Sequence, residues 1–206
     1  IKQLSLEHDF LLIYDEVQTG IGITGKMWAH QHFCETNCNL ECMSHCKSME
    51  PDIISFGKKT QCCGIFAGKR LDEIDDHVFK ESSRINSTFG GNLVDMVRFT
   101  IYLEIMESEN LVDLVSENGS YLLSSLATLQ NEESNVVSNV RGKGLFCAFD
   151  LPSSELRNKL IAKVEEEGAL ILGCGHRSIR FRPHLNISKN EIDRAMVMIK
   201  SAMSKI

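Results

Sequence analysis

Two side chains that could do chemistry lie directly after two apolar runs of the sequence. Asp15 follows residues 10–14, and Lys58 follows residues 53–56 and one glycine. A lysine acts as a nucleophile or a base when its surroundings lower its pKa, and a buried strand end can do this. A carboxylate at the end of another strand could pair with a cation there. For either residue taken alone, a solvated strand end is the simpler interpretation.

A sheet is needed to position these two residues. The continuous apolar runs of residues 10–14 and 53–56 predict strands that are buried on both faces. A polar helix is predicted over residues 2–9 and a third strand over residues 63–68. Strands that alternate with helices predict an α/β fold, in which functional groups lie at the carboxyl ends of the strands.

The second half of the chain predicts helices first and then a smaller α+β segment. Apolar positions recur every three or four residues over residues 92–130, with an interruption near residue 109. Ser153 and Ser188 have the sequence context of helix N-caps, and Ser188 precedes Glu191 as in a capping box. The remaining elements are strands within residues 136–150, 169–172 and 178–182 and helices over residues 153–167 and 188–204.

A glycine pattern follows the first predicted strand. Residues 20–25 match G-x-G-x-x-G, which cradles phosphates when it joins a strand to a helix. Met27 stands where a P-loop has Ser or Thr, and no second strand ends in an acidic residue about 20 residues further on. We therefore predict a tight turn with unusual backbone dihedrals rather than a nucleotide site.

Five ordered blocks of the chain resemble the class III, fold type I aminotransferases. They are DEVQTG with TG and WA (residues 15–20, 24–25 and 28–29), PDIISFGK (51–58), NSTFGGN (86–92), RGKG (141–144) and SIRFRP (178–183). The resemblance implies an α/β fold of the fold type I PLP-dependent transferases. Residues 1–105 would form part of the large domain, a mixed sheet flanked by helices, and residues 106–206 the small α+β C-terminal domain.

The resemblance also implies a cofactor, pyridoxal 5'-phosphate, and roles for four residues. Lys58 would bind the cofactor covalently and move the substrate proton, and Asp15 would pair with the pyridine nitrogen. Gln18 would reach the phenolic oxygen of the ring. Thr88 would bind the cofactor phosphate of the neighbouring subunit, so that a homodimer is expected. Lys59 is the alternative to Lys58, and the spacing from Asp52 favours Lys58.

Substrates are implied by the same resemblance. Arg180 would bind the substrate carboxylate, and Arg182 remains the alternative because both side chains share one face of the predicted strand. Residues 56–64 and 87–96 are similar to lysine ε-aminotransferases, whereas residues near 156–160 and 173–175 are similar to 4-aminobutyrate aminotransferases. The implied reaction moves a terminal amino group from L-lysine to 2-oxoglutarate, giving 2-aminoadipate 6-semialdehyde and glutamate. The alternatives are a 4-aminobutyrate aminotransferase and a catalytically incomplete fragment or interaction protein of the same fold.

Residues 34–50 match no block of the family and form a cysteine-rich insert. Cys34, Cys38, Cys42 and Cys46 recur every four residues. Adjacent cysteines on a helix could bind zinc, although structural zinc sites usually draw ligands from two segments. We expect an exposed insert without metal, and a metal or redox site is the alternative.

Bulk properties narrow the classes of partner. The net charge of −6 argues against nucleic acid, and no apolar run reaches the roughly 20 residues of a membrane span. The uneven cysteine distribution predicts a reducing intracellular compartment. Within the cell, we expect a cytoplasmic rather than a mitochondrial location. The first residues resemble the middle of a helix. We expect the family's phosphate loop, ring-stacking aromatic residue and gating glutamate upstream, so this chain alone is predicted to be inactive.

Overall fold

The computed structural model describes residues 1–33 and 49–206. The described residues divide into two compact units. The first unit comprises Ile1–Ile21 and Lys26–Glu109, and the second comprises Gly22–Gly25 and Asn110–Ile206.

The expected cysteine-rich insert and the possible membrane spans can be compared with the structure only in part. The cysteines at positions 34, 38, 42 and 46 lie outside the described residues. Within residues 1–33 and 49–206, no group of three or more His, Cys, Asp or Glu side chains is placed to hold a metal ion. No helix in the described part of the chain is long and apolar enough to cross a bilayer.

The first unit is built on a three-stranded mixed sheet in the order β1-β2-β3. Its parallel pair is in register, with Asp15 opposite Ser55, and β3 runs antiparallel to β2. Short 3-10 helices span Ala29–Phe33 and Lys69–Glu73. The helices and strands are α1 (Lys2–Glu7), β1 (Ile13–Asp15), β2 (Ile53–Phe56), β3 (Gly64–Ala67) and α2 (Leu93–Ser108).

Strand β1 is shorter and more exposed than predicted. It begins at Ile13, whose side chain is 60% exposed, so the prediction of a strand buried on both faces from residue 10 is wrong. Among the described residues β1 lies at an edge of its sheet. The backbone N–H of Leu12 donates to the side chain of Asp52 (2.8 Å) instead of joining the strand ladder.

The second unit is a four-stranded antiparallel sheet in the order β4-β5-β7-β6, packed against helices. Ser153 caps α4 through its side chain, and Ser188 and Glu191 form the predicted capping box. Asn110 adopts a left-handed conformation between α2 and α3, which confirms the predicted interruption. The elements are α3 (Leu111–Glu132), β4 (Ser138–Lys143), β5 (Phe146–Asp150), α4 (Ser154–Glu166), β6 (Leu172–Cys174), β7 (Ser178–Phe181) and α5 (Lys189–Met203).

Strand β6 begins three residues later than predicted. Residues 169–172 were expected to be extended, but the Ala169 N–H still donates to the Val164 carbonyl (3.1 Å). Gly168 has a φ of +94°, as in many helix C-caps. The apolar residues after Gly168 therefore first close the end of α4, and the strand pairs only from Leu172.

The glycine pattern of residues 20–25 is a tight turn, as predicted. Gly22 and Gly25 have φ values of +86° and +82°. A Cβ on Gly144 would lie 2.4 Å from the carbonyl carbon of Thr24, so the two backbones touch. The Leu145 N–H also donates to the carbonyl oxygen of Ile23 (3.0 Å). The second unit therefore uses these glycines for close backbone packing.

Asp150 is buried and joins β4, β5 and β7 through hydrogen bonds from both buried and exposed side chains. Its carboxylate accepts from the Ser178 hydroxyl (2.5 Å), the Asn139 amide (2.8 Å) and the Arg141 guanidinium (2.9 Å). Burial acts to raise the pKa of Asp150, but these three donors outweigh it and lower the pKa to about 2. The RGKG block thus contributes Arg141 to the internal structure of the second unit.

We expect Asp150→Asn to destabilise the fold at neutral pH by about 1–3 kcal/mol, because hydrogen bonds to a charged acceptor are lost. An ordinary Asp has a pKa of about 3.9. A carboxyl with a lowered folded pKa stabilises the fold above the unfolded value, and this contribution disappears as the pH falls from about 4 to 2. Urea unfolding at pH 7 and pH 3 measures both effects. Glu166→Gln, in an exposed pair with Lys163, is the control and should have little effect; an equal loss in both variants would contradict the assignment.

Candidate active site

Asp15 lies at the carboxyl end of β1 with one oxygen anchored. Its Oδ1 accepts from the Val17 N–H (3.0 Å) and from the Ser55 hydroxyl (2.9 Å). The hydrogen bonds from Val17 and Ser55 lower the pKa of Asp15 below its usual value and outweigh the opposing effect of burial, and the positive charge of Lys58 adds a smaller lowering. The side chain is exposed and ionised at neutral pH. Both of these hydrogen bonds end on Oδ1, and the exposed carboxylate could bind a cationic ligand through Oδ2.

Lys58 lies just beyond the carboxyl end of β2, on a turn. The Thr60 N–H donates to the Gly57 carbonyl (3.1 Å), which makes Lys58 and Lys59 the two central residues of that turn. The Lys58 N–H donates to the Val17 carbonyl (3.3 Å), so the turn is attached to the segment after β1. Lys58 is exposed and Lys59 is half-buried. The two lysines therefore differ in exposure, and Lys58 is the more accessible of them.

An aromatic cluster holds the strand that leads into this turn. Phe56 stacks on Phe66 with a centroid distance of 4.7 Å and on Phe99 at 5.4 Å. Trp28 packs edge-on against Phe56 at 6.4 Å. A Cβ on Gly20 would lie 2.7 Å from the Trp28 ring. One aromatic ring therefore contacts both the segment that follows Asp15 and the strand that precedes Lys58.

Gln18 and Thr88 belong to the first unit as well. Gln18 is half-buried within a turn that is closed by the Gly20 N–H and the Glu16 carbonyl (2.9 Å). Thr88 is exposed at the centre of another turn, in which the Gly90 N–H donates to the Ser87 carbonyl (2.9 Å). Asp15, Lys58 and Gln18 are thus linked by backbone hydrogen bonds near the ends of β1 and β2, and Thr88 lies on a separate exposed turn.

Arg180 lies in the second unit on β7, between Ala148 of β5 and Leu172 of β6. It is half-buried. A cavity of about 270 Å³ opens beside it. Arg182 lines the same cavity, and β7 ends at Phe181, one residue before it. The remaining lining is mainly apolar and includes Leu122, Leu170, Leu172 and Met196.

Two residues that the sequence analysis did not select contribute to the site. Ser55 donates to Asp15, and a lone polar residue inside the apolar run of β2 was the signal for it. Glu16, next to Asp15, is buried and accepts hydrogen bonds from Ala29 and His30. Its sequence signal was weak, because two adjacent acidic residues after a strand are typical of a solvated turn.

Comparisons with known proteins cover almost the whole chain. Residues 1–203 match the family Aminotransferase class-III. The L-lysine-epsilon aminotransferase of Mycobacterium tuberculosis is 43% identical over 203 residues, which are 98% of this chain and 42% of that protein. A 4-aminobutyrate aminotransferase of Dictyostelium discoideum is 32% identical over 203 residues, 95% of this chain and 37% of that protein.

A solved aminotransferase structure is similar to this chain in its fold as well as in its sequence. The lysine aminotransferase from M. tuberculosis in the internal aldimine form superimposes with a TM-score of 0.87 at 43% identity. The match covers 99% of this chain and 44% of that one. The fold is therefore that of the PLP-dependent aminotransferases of fold type I, and the chain spans less than half the length of the relatives it matches.

Proposed function

Since the chain belongs to the class-III aminotransferase family, we propose that the complete protein is a PLP-dependent transaminase for terminal amino groups. Its preferred reaction moves the ε-amino group of L-lysine to 2-oxoglutarate and gives 2-aminoadipate 6-semialdehyde and glutamate. The observation that carries this proposal is the placement of Asp15 and Lys58 at the same end of the parallel pair β1 and β2.

The residues present fit pyridoxal 5'-phosphate. Asp15 is an ionised carboxylate whose Oδ1 is anchored, so its Oδ2 can pair with a protonated pyridine nitrogen. Lys58 presents an exposed amine near the same strand ends, and Gln18 lies between Asp15 and Lys58 in the chain, on the turn after β1. When bound, the cofactor supplies an electron-withdrawing ring that stabilises a carbanion.

Residues of this chain would bind and orient the cofactor and move the substrate proton. The Lys58 amine would hold the cofactor and then carry the proton between the substrate carbon and the cofactor. Asp15 would keep the ring nitrogen protonated, because an anion beside it favours the charged form. Gln18 would bind the phenolic oxygen and set the tilt of the ring. Each role uses a side chain attached to β1, β2 or the turns that follow them.

A homodimer is part of this proposal, with Thr88 binding the cofactor phosphate of the neighbouring subunit. Support comes from α2, which begins three residues after the Ser87–Gly90 turn ends and packs Phe99 on Phe56. Its outward face is also apolar: Leu93, Val94, Val97 and Ile101 are between 47% and 79% exposed. A helix that is apolar on both faces is normally covered. Sedimentation of the complete protein as a monomer would contradict this part.

We assign residues 1–105 to the large cofactor-binding domain and residues 106–206 to the small domain of such an enzyme. An intracellular, cytoplasmic location is part of the same proposal. Fractionation of cells that express the complete protein would test it, and recovery from the medium would contradict it.

The choice of amino donor is tested by comparing L-lysine and 4-aminobutyrate with 2-oxoglutarate as acceptor. The greater identity to a lysine aminotransferase than to a 4-aminobutyrate aminotransferase supports lysine. We expect kcat/KM to be higher for lysine, measured as glutamate formed by the complete protein with added PLP. A higher value for 4-aminobutyrate would favour the alternative, and no turnover with either donor would favour an inactive interaction protein.

Arg180→Ala is expected to raise KM for the substrates strongly and to leave the absorbance of bound PLP unchanged. The physical reason is the loss of a charge-assisted pair with the substrate carboxylate, which is worth about 2–5 kcal/mol. Steady-state kinetics with lysine and 2-oxoglutarate measure it. Arg182→Ala is the matched variant, because both arginines line one cavity. A near-normal KM in Arg180→Ala with a raised KM in Arg182→Ala would transfer the role to Arg182.

A further inference from the structure

Glu16 is a buried carboxylate immediately after Asp15. Only 4% of it is exposed, and acidic side chains are rarely buried to this extent unless they are paired. Its Oε2 accepts from the Ala29 N–H (2.6 Å) and the Thr19 hydroxyl (3.2 Å). Its Oε1 accepts from the His30 N–H (2.9 Å) and contacts the His30 ring Nδ1 (2.9 Å). One side chain therefore joins the turn after β1 to the 3-10 helix Ala29–Phe33.

The carboxylate is held in its charged form. Burial acts to raise the pKa of Glu16, but the hydrogen bonds from the His30 ring and from the backbone of His30 and Ala29 outweigh it and lower the pKa. Because an ionised carboxylate only accepts, the proton between Glu16 and His30 lies on Nδ1. The His30 ring also packs against Tyr14 of β1, with a centroid distance of 5.6 Å.

These contacts surround the segment that carries two proposed cofactor ligands. Asp15 precedes Glu16, and one of its two anchoring donors is the Val17 N–H. Gln18 follows, within the turn closed by the Glu16 carbonyl and the Gly20 N–H. The Thr19 hydroxyl attaches the far side of that turn to the Glu16 carboxylate. Movement of Glu16 would therefore change the backbone that orients both ligands.

We propose that Glu16 is a positioning residue for the cofactor: its buried carboxylate fixes the turn of residues 15–20 so that Asp15 and Gln18 meet the ring. The proposal rests on the proposed function, because it names what the turn must hold. It goes beyond that function by giving a role to a side chain that is too buried to be a ligand itself.

Asp52 provides a matched control. It is also a carboxylate with 4% exposure in the first unit. Its oxygens accept from the Lys2 amine (2.8 Å), the Leu12 N–H (2.8 Å) and the Arg70 guanidinium (2.9 Å). Asp52 precedes β2, whereas Lys58 follows it, so Asp52 lies at the opposite end of the strand from the proposed site. Its removal should affect stability alone.

The experiment compares Glu16→Gln and Asp52→Asn in the complete protein. Urea unfolding measures the free energy of unfolding of each variant. Titration with PLP, monitored by the visible absorbance of lysine-bound cofactor, gives the Kd for PLP. The same absorbance is then recorded as a function of pH. Hydrogen exchange without cofactor reports the order of residues 15–20. We expect both variants to be less stable. Only Glu16→Gln should show faster hydrogen exchange in residues 15–20, because it loses charge-assisted hydrogen bonds to this turn. For the same reason, its Kd for PLP should rise at least about 10-fold. The pH midpoint of the absorbance of lysine-bound cofactor should also shift in this variant alone.

Thr19→Val is a milder variant in case Glu16→Gln does not fold. It removes one donor to Glu16 and should weaken PLP binding in the same direction by a smaller factor. Wild-type Kd and absorbance in both Glu16→Gln and Thr19→Val would overturn the inference, as would equal effects of Glu16→Gln and Asp52→Asn on PLP. A wild-type protein without lysine-bound PLP absorbance would overturn the proposed function and the inference with it.

Discussion

Replacing Lys58 by alanine is expected to lower kcat for lysine by at least about 1,000-fold. The variant loses the amine that holds the cofactor and the base that moves the substrate proton, and proton transfer alone contributes about 100- to 10,000-fold in enzymes. Single-turnover and steady-state kinetics of the complete protein with L-lysine and 2-oxoglutarate measure the loss. The visible absorbance of lysine-bound PLP should disappear as well.

Lys59→Ala is the control for this variant, because Lys58 and Lys59 are the two central residues of one turn. It removes the same functional group from the neighbouring position. We expect it to retain the cofactor absorbance and most of the activity. Loss of the absorbance in Lys59→Ala and its retention in Lys58→Ala would reverse the assignment.

Asp15→Asn is expected to lower kcat by about 100- to 1,000-fold, the range for removal of a preorganised electrostatic partner. An amide at this position can still accept from the Val17 N–H but carries no charge to keep the ring nitrogen protonated. The measurement is kcat for lysine at saturating PLP, so that weaker cofactor binding does not contribute.

Ser55→Ala provides a graded comparison for Asp15. It removes one of the two donors to Oδ1 and leaves the carboxylate in place. We expect a smaller loss than in Asp15→Asn and a pKa of Asp15 closer to its ordinary value. A normal kcat in Asp15→Asn would show that this carboxylate is not the partner of the ring nitrogen.

Local signals pointed to two residues of the proposed site, and the family resemblance was needed to assign them roles. Asp15 and Lys58 could be selected because each follows an apolar run, and the carboxyl ends of parallel strands are where α/β folds place functional groups. In the structure, Asp15 is the last residue of β1 and Lys58 lies two residues after β2 ends. The roles of all the proposed site residues come from the family resemblance. Thr88 and Arg180 also lacked a local signal, because an exposed turn and an arginine on a strand have no distinctive local pattern.

The predicted starts of strands β1 and β6 were wrong, and each error has a physical cause. Strand β1 starts at Ile13 because the Leu12 N–H bonds to Asp52, a residue 40 positions away that no local pattern connects to it. Strand β6 starts at Leu172 because Gly168 and Ala169 still complete the end of α4. Both are tertiary or capping effects that override the apolar pattern of a short window.

The burial of Glu16 could not be predicted from the sequence either, because it also depends on long-range contacts. Its burial depends on donors from Ala29 and His30, beyond the glycine turn, which the sequence does not connect to β1. Capping patterns were more predictable, since Ser188 and Glu191 are only three residues apart and form the expected capping box. Short-range hydrogen bonds could therefore be predicted, and long-range ones required the fold.

The identity of the lysine that binds the cofactor is the decisive test of the proposed active site. The complete protein is loaded with PLP, reduced with borohydride, digested and mapped by mass spectrometry. Lys58 and Lys59 are separated by one peptide bond, so fragment ions on either side of it distinguish them. We expect a pyridoxyl group on Lys58 alone. A pyridoxyl group on Lys59, or none on any lysine of a fully folded protein, would contradict it.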